Sequence, residues 1–253
     1  MNEFETGGDS AEARSRLVPA DAQPPLPTDR LLSEEEPGED AVPMDVVFVG
    51  GGPAGLAGAI ELARLGARED GMELEIGVLE KAGSLGEHCL SGAVVDPGPF
   101  RTLFPDLADE DFPFRGPVAS DRVYFLTERG KVRVPAPPTM RNHGNHVASI
   151  CEIVRWLGEQ AEESGVNVFT GFPADALLTR KGAVVGVRTA PAGLDRSGEP
   201  GSGYMPPTDL AARVTVLSEG TRGSLTQAWM ASEGIGSTNP KIYALGVKEL
   251  WRV

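Results

Sequence analysis

The stretch "VFVGGGPAGLAGAIELARLG" at residues 47–66 limits what this chain can fold into more than any other part of it. "MDVVFV" at 44–49 is an apolar run of strand length that breaks into glycines, and from Pro53 to Gly66 the apolar residues Leu56, Ala59, Ile60 and Ala63 recur at helical spacing. In Gly50-x-Gly52-x-x-Gly55 the glycines play three different roles. The first makes the tight turn, the second lets the backbone approach a pyrophosphate, and the third lets the helix pack close to the strand. The helix N-terminus then offers an anion N–H groups that lack intrahelical partners. A second strand, "LEIGVLE" at 74–80, ends in Glu80, 25 residues after Gly55, where a carboxylate can accept hydrogen bonds from a ribose. Residues 44–80 therefore read as a βαβ unit of a parallel sheet built to hold a dinucleotide, FAD or NAD.

Further along, "RVYFLT" (122–127) and "KVRVP" (131–135) flank "ERG" and predict a hairpin. "VASICEIVRWLGEQAEES" (147–164) carries Ile150, Val154, Leu157 and Ala161 on one face and stops before Gly165, which predicts an amphipathic helix. "VNVFTG", "ADALLTR", "AVVGVRTA" and "ARVTVLS" read as strands, with a polar Gly/Pro-rich loop over 191–209. Two more glycine-dense elements, "GSLGEHCLSGAVVDPGPF" (83–100) and "VTVLSEGTRGSL" (214–225), favour an extended ligand.

The 253 residues, 40% hydrophobic and 24% charged, suit one large or two small globular domains. Residues 1–42 hold eleven acidic and three basic side chains, so most of the net charge of −14 belongs to that segment. It is also Pro-rich and poor in aromatics, which predicts a disordered acidic extension. It has neither the apolar core of a signal peptide nor the arginine-rich, acid-poor character of a transit peptide. No stretch approaches the roughly 20 apolar residues of a membrane span, and the sign of the charge opposes nucleic acid.

"GGGPAGLAGAIELARLG", "VLEKAGSLGEHCLSGAVVDPGPFRTLFPD", "NHGNHVASICEIVRWLGEQAEESGVNVFTGF", "VTVLSEGTRGSL" and "YALGVKELW" resemble the N-terminal part of the electron transfer flavoprotein–ubiquinone oxidoreductase family. "LSGAVVDP", "NHGN" and "GVKELW" are the specific matches; the glycine turn is shared by many flavoproteins. The resemblance implies an α/β fold: a glutathione-reductase-type, Rossmann-like three-layer FAD-binding domain with part of a mixed α+β quinone domain. It divides the chain into an acidic tail (1–42), FAD-binding segments (43–120 and 146–232), part of the quinone or substrate domain (121–145), and the start of a truncated substrate-domain strand (233–253). Gly50, Gly52, Pro53, Ala54 and Gly55 would wrap the FAD pyrophosphate. Glu80, with Lys81 beside it, would bind the adenosine ribose. Leu85, Gly86, Ser91 and Gly92 would line the loop towards the isoalloxazine, and Ala174 would sit near the adenine. Glu219 and Gly220 occupy a second flavin motif where many relatives carry Asp-Gly. Ser149 stands where many such flavoproteins place a phosphate-binding arginine. No catalytic side chain and no metal ligand is assigned.

The implied activity passes electrons from reduced electron transfer flavoprotein to ubiquinone, using FAD and one [4Fe–4S] cluster. Such a cluster takes four cysteine thiolates. This sequence has Cys89 and Cys151 alone, so the chain is expected to be an N-terminal fragment that cannot ligate the cluster. Alternatives are a geranylgeranyl-reductase-like flavoenzyme and a non-catalytic FAD-binding remnant. The implied location is peripheral, on the cytoplasmic face of the inner membrane, or the cytoplasm for a soluble fragment.

Flavin-linked disulfide reductases place two cysteines a few residues apart, whereas 61 residues separate Cys89 from Cys151, so these read as structural or incidental thiols. His88, His143 and His146 lack zinc-like spacing, and "NHGN" reads as a turn beside the flavin or quinone pocket. In "PGPFRTLFPDL" a helix would align Phe100, Leu103, Phe104 and Leu107 into one apolar face, either a piece of core or a membrane-surface contact beside the quinone entrance.

Overall fold

The computed structural model describes residues 25–68, 71–195 and 197–236. The first 24 residues and the whole "YALGVKELW" stretch lie outside the described residues.

In chain order the elements are α1 (Thr28–Leu31), β1 (Leu32–Ser33), β2 (Val42–Val49), α2 (Pro53–Arg68), β3 (Ile76–Glu80), β4 (Ala93–Val95), α3 (Gly98–Leu103), β5 (Phe114–Pro117), β6 (Val123–Thr127) and β7 (Gly130–Val134). Then come β8 (His146–Ala148), α4 (Ile150–Glu163), β9 (Asn167–Thr170), β10 (Ala174–Arg180), β11 (Ala183–Thr189), β12 (Ala192–Leu194), β13 (Pro200–Met205), β14 (Asp209–Leu217) and α5 (Ser224–Ser232). A seven-stranded sheet in the order β1-β10-β11-β14-β2-β3-β9 carries the fold. Its β14-β2-β3-β9 half is parallel, and β11 lies antiparallel between β14 and β10. Successive side chains of β2 serve opposite faces. Val46 and Phe48 pack with Leu56 and Ile60 of α2 and Ile153, Val154 and Leu157 of α4, while Val47 and Val49 pack with Leu177, Val187 and Leu225 on the other side. Both faces are covered, which is why residues 46–49 of β2 and 76–79 of β3 are without a polar side chain.

The described part of the acidic lead-in, from residue 25 on, packs onto the sheet. Leu31 is buried in the second core, and β1 runs parallel to β10 with Leu32 opposite Leu177. Arg30 pairs with Asp175, Glu36 with Arg180, and Glu35 with Arg188, which also holds Asp209 through two hydrogen bonds of 2.8 and 3.0 Å. Local composition missed this because the arginines that neutralise the segment lie far along the chain.

Of the candidate membrane face, Phe104 is buried and Phe100, Leu103 and Leu107 are partly buried against the core. α3 ends at Leu103, Phe104 is buried against Trp156 at 4.8 Å between ring centroids, and Phe100 meets Phe114 at 5.0 Å. Leu103 and Leu107 pack against the same core. Trp156 on α4, with Phe112 and Phe114, supplies an aromatic cluster that this face completes. Residues 147–148, expected at the start of a helix, pair instead with β4 and β5 in a three-stranded sheet. β-Branched Val147 suits that position, and the helix begins at Ile150. The 191–209 loop contains the β12–β13 hairpin.

Arg188 and the N–H of Gly38, 3.1 Å away, hold the Asp209 carboxyl below its ordinary range, the arginine hydrogen bonds being the larger cause. A depressed carboxylate contributes stability that is full above its unfolded value, about 4, and is lost as pH falls through the folded value. Asp209→Asn should therefore cost about 1–3 kcal/mol in urea denaturation at neutral pH, and the gap from the natural chain should close as the pH is taken below about 4.

Candidate functional site

Three parallel strands, β14, β2 and β3, end side by side, and their C-terminal ends open onto a cleft of about 560 Å³. Gly50 follows β2 directly, with φ +113°, a conformation that glycine adopts and other residues rarely do. A Cβ there would stand 2.5 Å from the Ser218 carbonyl oxygen at the end of β14. At Gly55 in the first turn of α2, a Cβ would meet the Gly50 carbonyl oxygen at 2.1 Å and Ser218 Oγ at 2.7 Å. The helix is thus seated on the turn with no room for any side chain. Gly52 is the opposite case, since nothing lies within 4 Å of its missing Cβ, and Pro53 opens the helix at a position where its absent N–H is not needed.

Glu80, at the end of β3, accepts hydrogen bonds from Gly51 N at 3.1 Å and Ala82 N at 2.8 Å, one on each oxygen. These amides orient the carboxylate, and each oxygen keeps a second lone pair to accept a hydroxyl. His88 Nδ1 lies 4.0 Å from Glu80 Oε1.

Of the residues singled out in the sequence, Gly50, Gly52, Pro53, Ala54, Glu80, Lys81, Gly86, Ala174, Glu219 and Gly220 line this cleft. Gly55 lies beneath it as packing. Leu85 is an anchor: its Cδ1 would be 2.0 Å from a Cβ on Gly158 of α4 and its Cδ2 3.0 Å from one on Gly51. Ser91 Oγ shares a 2.7 Å hydrogen bond with Ser149 Oγ, which ties the loop to the start of α4. Gly92 has φ +91° in an open stretch outside the cleft lining.

Glu219 serves the helix that follows it. Its Oε2 accepts hydrogen bonds from Thr226 N and Thr226 Oγ1, both at 2.7 Å, and its Oε1 one from Leu225 N at 3.3 Å. The carboxylate therefore caps the first turn of α5, where helix amides lack partners and the dipole favours negative charge. Sequence reasoning missed Gly51, His88, Cys89, Pro173, Ser218 and Gly223 in the lining. Ser218 was within reach as the residue between strand and second glycine motif; its hydroxyl donates to the carbonyls of Val49 and Gly50 at 2.9 and 3.0 Å, joining β14 to the glycine turn.

The cleft thus offers an open glycine cradle, a helix N-terminus aimed into it, and an oriented carboxylate, which together fit the phosphates and one ribose of an extended dinucleotide.

No protein-family model matches the chain. It is 41% identical over 228 residues to the mitochondrial electron transfer flavoprotein–ubiquinone oxidoreductase of Dictyostelium discoideum, a match covering 88% of this chain and 38% of that protein. The corresponding Mus musculus protein is 41% identical over 211 residues (82% of this chain, 34% of that one), and a probable electron transfer flavoprotein–ubiquinone oxidoreductase of Acinetobacter baylyi is 38% identical over 220 residues (85% and 39%). The chain therefore matches less than two fifths of the length of each of these relatives. Among solved structures, a geranylgeranyl bacteriochlorophyll reductase-like protein of Thermoplasma acidophilum superposes with a TM-score of 0.50 at 21% identity, covering 71% of this chain and 40% of that chain. That likeness is one of fold, the α/β FAD-binding fold expected from the sequence.

The two glycines should separate on substitution. Gly55→Ala forces a Cβ into backbone and should cost about 3 kcal/mol or more, whereas Gly52→Ala should leave the stability of the ligand-free chain within about 0.5 kcal/mol of the natural one. Paired urea titrations read both.

Proposed function

The chain is a homologue of the N-terminal portion of the electron transfer flavoprotein–ubiquinone oxidoreductases, and from that premise we propose that it is the FAD-binding portion of a flavin-dependent oxidoreductase that passes electrons from reduced electron transfer flavoprotein to ubiquinone. The observation that carries this reading is the open cradle at Gly52, set between the α2 N-terminus and the oriented Glu80 carboxylate. Gly50, Gly52, Pro53 and Ala54 would face the pyrophosphate, with Gly55 seating the helix behind them. Glu80 would accept the adenosine ribose hydroxyls, Lys81 would lie beside it, and Ala174 would border the adenine. Gly86 would lie along the path to the isoalloxazine, with Leu85 and Ser91 fixing its loop and Gly92 giving the loop room to turn. Glu219 would act through α5, holding that helix and the Gly220 backbone against the cofactor.

FAD supplies the redox chemistry when bound; the protein's part is binding and orientation. The sequence's two cysteines are fewer than the four thiolates of a [4Fe–4S] cluster, so the chain's own residues support the flavin step alone. We assign residues 121–145 to the quinone-facing part. Among the described residues no helix is long and apolar enough to cross a membrane; by the family resemblance the chain would lie peripherally on the cytoplasmic face of the inner membrane or, as a soluble fragment, in the cytoplasm. A second reading, a geranylgeranyl-reductase-like enzyme, draws on the fold shared with the Thermoplasma protein.

Titration of the apo chain with FAD, followed by flavin absorbance and fluorescence, is the test. The natural chain should bind FAD, and Gly52→Ala should weaken binding at least tenfold, about 1.4 kcal/mol, while keeping its fold. A folded natural chain that takes up no FAD would overturn the reading. Oxidation of the bound, reduced flavin by a short-chain quinone supports the quinone assignment, and reduction of a prenyl double bond supports the second reading.

A further inference from the structure

Distance along the chain argues against any partnership of Cys89 and Cys151, yet the fold sets them together. The loop after β3 doubles back onto the first turn of α4. There Gly86, with φ +81°, lies so close that a Cβ on it would be 2.6 Å from the Cys151 carbonyl oxygen and 3.1 Å from its Cα, and about two turns further along the helix Leu85 covers Gly158. Cys89 N donates to the Gly86 carbonyl at 3.1 Å, and the Cys151 thiol donates to the Cys89 carbonyl at 3.2 Å. A cysteine's own sulfur lies within about 4.5 Å of its carbonyl oxygen by covalent geometry, so the 3.2 Å contact puts the two sulfurs within about 8 Å of each other. Both thiols are free and half-buried. Burial, followed by the charges of Cys151 and Glu80, pushes the Cys89 thiol up.

We propose that Cys89 and Cys151 form a reversible intramolecular disulfide that staples the cleft-lining loop to α4. A small disulfide such as oxidised glutathione is the oxidant. One cysteine thiolate attacks it, forming a mixed disulfide and releasing one glutathione thiolate. The second cysteine thiolate attacks the protein sulfur of that mixed disulfide and displaces the other glutathione. The two protons lost by the cysteines end on the two glutathione thiols, so the protein is oxidised by two electrons and the glutathione disulfide is reduced by two. Because Gly86 and Cys89 line the cleft, it fixes one wall of the candidate dinucleotide site.

The full chain is equilibrated with graded ratios of oxidised to reduced glutathione, quenched in acid, alkylated, digested with trypsin and mapped by mass spectrometry. The native chain should give a monomeric product with the peptides of Cys89 and Cys151 cross-linked. Its disulfide should form at a ratio at least tenfold lower than in the same chain held in concentrated urea, equivalent to about 30 mV for this two-electron couple. Cys89→Ser and Cys151→Ser should each yield only the mixed disulfide with glutathione. Glutathione on both cysteines without the cross-link, a cross-link confined to dimers, or equal ratios in buffer and urea would each overturn the staple. The native-versus-urea comparison uses the natural sequence, so it stands even where a variant fails to fold.

Discussion

The contact between Gly55 and the Gly50 carbonyl is the constraint on which the site depends. A Cβ at Gly55 would meet that oxygen at 2.1 Å, so α2 sits as close to the β2 turn as two backbones allow. The Ser218 hydroxyl bridges the same carbonyl to the end of β14, so three backbone segments converge at one point. Any side chain at Gly55 would lift the helix and carry its N-terminal amides away from the cleft. A division of labour follows: Gly55 makes the structure possible, and Gly52 leaves the space in front of it empty. A motif usually read as one signature is here two physical requirements, one on folding and one on the ligand.

Two carboxylates frame that point, and neither is simply pointed at a ligand. Glu80 is held by the amides of Gly51 and Ala82, so the glycine turn and the end of β3 fix each other before anything binds. Glu219 commits its oxygens to the first turn of α5. Its side chain reaches the amides of Leu225 and Thr226, so helix capping accounts for an acid at this position.

What the sequence made legible was what local spacing encodes. β2, the turn, α2, β3, the β6–β7 hairpin and α4 with its glycine stop all follow from periodicity within a few residues. The three-residue strand β8 was missed because its two partners, β4 and β5, are distant in sequence and nothing in "HVA" alone distinguishes it from a helix start. The resemblance places Leu85 in the loop towards the isoalloxazine, and its packing partner is hidden from the sequence for a related reason. Its destination, the gap left by Gly158, lies on another element, and a lone glycine inside a helical pattern announces no partner. Spacing separates Cys89 from Cys151, and spacing is blind to the topology that brings the Cys151 thiol to the Cys89 carbonyl.

The acidic segment carries the same lesson into electrostatics. Its charge looked like a property of a solvated tail, yet its described part lies along the outer strands of the main sheet, where Arg180 and Arg188 supply the counter-charges. β1 adds only two residues to β10, and a strand so short leaves little edge for another chain to pair with. The flanking glutamates extend that protection, because an edge bordered by charged side chains resists strand addition more strongly than a bare apolar one. Asp209 links the two ideas: it takes Arg188 from β11 and the Gly38 amide from the lead-in, so the segment that covers the sheet edge is tied to β14, the strand whose other end forms the cleft. Part of the acidity that precedes the first long strand therefore serves to close a sheet.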